Sequence, residues 1–152
     1  GRVVKTSKNV WLMVSLSDIL SSNSIGVLNM TPGTVLLGEM DGVDHLKFFV
    51  VAGVSDNRVC VCSVIINSSI NPFIMRRPHL LSRQVQIKNE NYRFLTHDSY
   101  INCAQPIRGK SDYFKAFKRV GQLSNEDLQL VIQEIKKSGT LTTKELKLYN
   151  LH

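Results

Sequence analysis

The sequence predicts a mainly β fold, a small barrel with helices at its C-terminal end, and three observations carry that expectation. Short runs rich in β-branched and aromatic residues succeed one another between residues 34 and 66, separated by turn signals. From Ser124 onward the apolar spacing changes to a helical period. The 152 residues are 43% apolar and 20% charged, which is enough to bury one core and unlike a disordered chain.

Residues 1–31 read as an N-terminal extension. Trp11, Leu12, Val14, Leu16, Ile19 and Leu20 have the spacing of a short amphipathic helix, and Ser21-Ser22-Asn23-Ser24 ends it as a linker. The barrel and its helices are expected over residues 32–152. Thr31-Pro32-Gly33 is a turn signal, followed by a first strand over 34–40. Asp41-Gly42 turns the chain into a second strand over 46–54, centred on Phe48, Phe49, Val50 and Val51. Ser55-Asp56-Asn57-Arg58 fits a hairpin loop, and a β-branched third strand runs over 59–66. Connections this short make an antiparallel meander, and unbroken apolar runs imply strands buried on both faces.

Residues 67–83 form a long polar and basic connection holding Pro72 and Pro78. Residues 85–88 alternate as a strand, 92–95 are placed to pair with it, and 100–103 make a further short strand. Residues 108–119 are basic and aromatic and read as an amphipathic turn that buries Phe114 and Phe117, with a second RNA patch as the alternative. The tail is more explicit. Ser124 is an N-cap, Glu126 and Asp127 face the positive end of the helix dipole, and Leu123 with Leu128 makes a hydrophobic staple. Leu128, Val131, Ile132 and Ile135 form one stripe, and Gly139 stops the helix. A second helix starts at Thr142, with Glu145 completing a capping box and Leu141/Leu146 a staple.

The formal charge is +7 and the pI is near 9.5. Such a surface suits phosphate-bearing partners, anionic membranes or acidic proteins, and it also serves solubility. No apolar run approaches the roughly 20 residues of a membrane span, and no signal-peptide cleavage site follows residues 10–20. A membrane partner is not expected. Cys60 and Cys62 fall on one face of a strand, and with Cys103 they make an odd count without a second paired set. They read as reduced core residues of a cytoplasmic protein, with no metal and no cofactor.

The order of elements resembles the MazF/PemK family of toxin-antitoxin toxins. The stretches that carry it are PGTVLLGEMDG (32–42), KFFVVAGVSDNRVCVCSVIINSS (47–69), LTHDSYINCAQPI (95–107) and GQLSNEDLQLVIQEIKKS (121–138). The resemblance implies an SH3-like barrel with a C-terminal helix and a homodimer. It also implies metal-independent cleavage of single-stranded RNA and an antitoxin protein as partner. The family's catalytic Thr or Ser follows its third strand, where this chain has Asn67, Ser68 and Ser69. Its catalytic Arg, in an Arg-Pro pair, precedes the second strand. Here that place reads His45-Leu46-Lys47-Phe48, with neither Arg nor Pro.

Metal-free RNA cleavage needs a deprotonated 2′-OH, a protonated leaving oxygen and a stabilised phosphorane. Ser68 is expected to orient the phosphate and His45 or Lys47 to supply the cation. Alternatively His45 and Lys47 are solvated strand-entry residues and Asn67-Ser68-Ser69 is only a turn. Residues 76–93 carry five Lys/Arg and one Glu. There Arg76, Arg77, His79 and Arg83, with Asn67, are the candidate RNA contacts, and Phe73 or Tyr92 could stack bases. His97-Asp98-Ser99 is not a triad, because adjacent strand residues point to alternate faces. Asp98 and Ser99 are expected to hold a turn, and a role for His97 stays open. Two functions remain in view: a toxin-like endoribonuclease, or a non-catalytic SH3-like barrel binding nucleic acid or a protein.

Overall fold

Paired extended segments open the chain. The computed structural model describes residues 2–5, 11–14, 30–40 and 45–152. β1 (Arg2–Lys5) and β2 (Trp11–Val14) form an antiparallel ribbon, with Arg2 opposite Val14 and Lys5 opposite Trp11. Trp11–Val14 is thus extended where the sequence predicts a helix to begin. Its Trp and Val favour strands, and each segment satisfies the other's backbone groups. The rest of that expected helix and the linker at 21–24 lie outside the described residues.

The remaining strands build one seven-stranded sheet. They are β3 (Thr34–Glu39), β4 (Leu46–Val54), β5 (Cys60–Asn67), β6 (Gln84–Ile87), β7 (Ser99–Asn102), β8 (Ile107–Lys110) and β9 (Lys118–Gln122). The hydrogen-bonded order is β6-β7-β5-β4-β3-β9, with β8 also on β5, and every pair is antiparallel. The meander β3–β4–β5 matches the expectation. The anticipated partner of β6 does not: residues 92–95 are not a strand, and β6 pairs with β7. Tyr92 instead turns inward, where its hydroxyl donates to Asp127 and accepts from the Ser124 N–H at 3.1 Å. β8 and β9 flank the 3₁₀ turn Ser111–Phe114, and that turn buries Phe114 as anticipated.

Both sheet faces are covered over β4 and β5, as their apolar runs require. Val50, Ala52, Cys62, Val64 and Ile66 point into one core under the C-terminal helices. Phe49, Val51 and Val61 point into a second, with Met30, Leu36 and Phe114. Met30 therefore belongs to the core, two residues before the expected boundary. A bulge between Val51 and Gly53 turns Gly53 toward the chain end. A Cβ there would collide with the Tyr149 carbonyl oxygen and lie 2.9 Å from Leu151 Cδ2, so only glycine fits.

Two short helices, α1 (Pro72–Met75) and α2 (Pro78–Leu81), occupy the connection that the sequence presents as a flexible loop. Each proline sits at the first turn, where its missing N–H costs nothing. Asn71 caps α1 by accepting the Ile74 N–H at 2.9 Å. α3 (Asn125–Ser138) starts on Ser124, which accepts the Asp127 N–H at 3.1 Å, and ends on Gly139 in the left-handed region. α4 (Thr143–Leu148) carries the full capping box between Thr142 and Glu145. Among the described residues no helix is long and apolar enough to cross a membrane.

Candidate functional site

The ends of β4 and β5 set the site. Their pairing puts Phe48 opposite Ile66, so Ser68 and the residues ahead of β4 arrive at one edge of the sheet. The loop entering β7 comes over that edge. It is positioned by aromatic packing: Phe94 meets Phe48 edge-on at 5.2 Å and Tyr92 at 5.6 Å, and it lies against Gly121. Asp98 then fixes the loop by accepting the Asn89 N–H at 3.0 Å, and Ser99 Oγ donates to the His97 carbonyl at 3.0 Å. Both residues hold the turn, as the sequence implies.

The result is a cleft of about 210 Å³ lined by His45, Leu46, Lys47, Phe48, Ile66, Ser68, Leu95, Thr96, His97 and Ser99. His45, Ser68 and His97 are all exposed. The His97 Nδ1 is 2.9 Å from the Thr96 hydroxyl, which orients the ring. The three proposed catalytic residues do reach one place, but Lys47 differs in direction. Strand alternation sends its side chain to the sheet face opposite Phe48, and its Nζ donates to Asn67 Oδ1 at 3.2 Å. Asn67 and Lys47 thus hold each other. His97, which sequence neighbours alone do not connect to His45, comes to the cleft from the loop ahead of β7.

The expected RNA contacts divide. Arg76 and His79 are exposed on the α1–α2 segment. Arg77 stacks on the Phe73 ring, 3.5 Å from its centroid, and donates to the Phe73 carbonyl at 2.8 Å. Arg83 is structural: its Nη1 pairs with Glu134 of α3 at 2.5 Å, with both side chains mostly covered. Burial pushes the Cys62 thiol up to about 12 and raises Cys103 further, so both are neutral core groups. Cys60 is half-buried, and Lys110 Nζ lies 3.4 Å from its sulfur. No group of three or more His, Cys, Asp or Glu is placed to hold a metal among the described residues.

A larger concavity of about 690 Å³ lies between Asn91-Tyr92 and the start of α3. Of its acidic groups, Asp127 accepts from the Tyr92 hydroxyl and Glu126 stands in the first turn of α3, at the positive end of the helix dipole, so chemistry is better placed at the His45–His97 cleft. The chain matches no family model and no curated protein.

Proposed function

We propose that the chain is a toxin-like endoribonuclease on an SH3-like barrel, cleaving single-stranded RNA without a metal at the cleft of His45, His97 and Ser68. The observation behind this reading is that two imidazoles and a hydroxyl from separate parts of the chain meet in one open cleft. One imidazole, neutral, takes the proton of a 2′-OH. The 2′-oxygen then attacks the adjacent phosphorus, and the other imidazole, protonated, gives its proton to the departing 5′-oxygen. The products are a 2′,3′-cyclic phosphate and a 5′-hydroxyl. Ser68 donates a hydrogen bond to a non-bridging phosphate oxygen. An antitoxin protein and a second copy of the chain are the partners this reading carries.

The test is incubation with a long single-stranded RNA in EDTA. Discrete fragments ending in cyclic phosphate are expected. His97→Ala should slow their formation by about a hundredfold or more, and Ser68→Ala should also suppress it. Unchanged rates in both variants, with folding verified by circular dichroism, would remove the cleft from the mechanism. The second reading is a non-catalytic barrel that binds nucleic acid or a protein. The engagement of Lys47 with Asn67 favours it, because it draws that cation onto the sheet face and away from a phosphorane in the cleft. Intact RNA after incubation with the folded protein would select it.

A further inference from the structure

A polar row on the outward sheet face begins at Lys47, on the rim of the cleft, and runs away from it across β5, β7 and β6. Val85, Ile87, Ile101 and Ile66 turn into the core, so their strand neighbours turn outward. Register then aligns Gln86 with Tyr100, Tyr100 with Asn67, and Asn67 with Lys47, one step beyond the Phe48–Ile66 pair. Tyr100, Asn67 and Lys47 are half-buried and Gln86 is exposed. The row holds no carboxylate. Among the described residues the Gln86 amide and the Tyr100 hydroxyl have no hydrogen-bond partner, whereas the neighbouring Gln84 and Asn102 amides bond each other at 2.9 Å.

We infer that this face, Gln86–Tyr100–Asn67–Lys47, binds the unpaired bases of single-stranded RNA. The inference rests on the ribonuclease reading for the identity of the ligand and concerns a surface that adjoins the cleft at Lys47. A half-buried tyrosine on the outward side of a sheet offers a ring on which any base can stack. Amides on either side supply the donor–acceptor pairs that match base edges. Lys47, held upright by Asn67 at 3.2 Å, meets the phosphate chain. The absence of acids leaves nothing on the row to repel that chain. The segment joining β5 to β6 starts beside Asn67, ends beside Gln84 and presents Arg76 to solvent, extending the cationic path.

The experiment is fluorescence anisotropy with a labelled single-stranded oligonucleotide of 2′-O-methyl RNA, which lacks the attacking hydroxyl and separates binding from cleavage. Tyr100→Leu should weaken binding about tenfold or more. Gln86→Glu, on an exposed edge strand where folding is not at risk, should also weaken it by placing an acid on the row. Affinity unaltered by both row substitutions would overturn the inference while leaving the cleft chemistry standing, and a wild-type protein that does not bind the oligonucleotide would overturn it as well. Row-dependent binding in a protein that cuts no RNA would uphold the inference and discard the ribonuclease.

Discussion

Gly53 shows how one missing side chain joins the sheet to the chain end. It follows the bulge in β4, and its bare Cα lets the Tyr149 carbonyl approach more closely than a Cβ would allow. The clashing atom is backbone, so the C-terminal residues must retreat as a unit. Leu151, which is 1% exposed, would leave the core with them. Gly53→Ala should therefore destabilise the fold by about 1–3 kcal/mol, read by urea denaturation. A wild-type midpoint would mean that Tyr149 and Leu151 do not dock as described. Residue-scale features of this sort are hidden in sequence, because GVSDN reads as the end of a strand whether or not something packs above it. The same holds for His97. Alternation rules out a relay within His97-Asp98-Ser99, yet tertiary packing, with Phe94 on Phe48 and Tyr92, brings that loop to His45.

At the scale of elements, one ion pair ties α4 to the sheet beside its core contacts through Leu146, Tyr149 and Leu151. Arg108 on β8 donates to both oxygens of Glu145, with Nη2 at 2.9 Å from Oε1, and to the Thr140 carbonyl at 3.0 Å. Glu145 also accepts the Thr142 N–H at 3.0 Å in the capping box. The guanidinium, and then the cap N–H, hold its carboxyl well below the ordinary 4.5, at about 2. A carboxyl depressed in the folded state stabilises the fold above its unfolded pKa and loses that effect as it is protonated. Stability should thus decline as pH falls from about 4.5 toward 2, and Glu145→Gln should flatten that limb of the denaturation profile. An unaltered acid limb would show that the pair does not anchor α4.

The start of that helix is legible in the sequence, because Thr142 and Glu145 stand at the spacing a capping box demands. Ser124, Leu123 and Leu128 announce α3 in the same way. β8 and β9 are not legible. IRGK and KRVGQ offer few apolar positions between cations, and they become strands only because β5 and β3 present free edges to them. α1 and α2 are not read from the sequence either, where Pro72 and Pro78 mark only a long connection, because proline opens helices as readily as it breaks them. What local spacing does not reveal is that Arg83, in the same cationic run, is drawn to Glu134 across a long sequence separation.

For the whole molecule, the net charge of +7 acquires a direction from where its members are tied. Arg83 and Arg108 are committed to Glu134 and Glu145, and Lys115 pairs with Asp112. Arg76 stays exposed on α1–α2, and Arg77 lies flat on Phe73 beside it. If the proposed RNA path runs from the cleft along this segment, its affinity must fall with salt as counterions are released. The double substitution Arg76→Glu with Arg77→Glu should weaken binding across all sequences. It should also reduce the slope of log affinity against log salt by about 1 for each phosphate that the arginines no longer hold. Arg83→Glu would instead break the Glu134 pair and lower stability, so a comparison of the two separates RNA binding from scaffold. A double variant whose affinity falls while its salt slope stays unchanged would mean that the arginines act through Phe73 and the shape of the loop. Phosphate would then meet the protein at Lys47 and the sheet face alone.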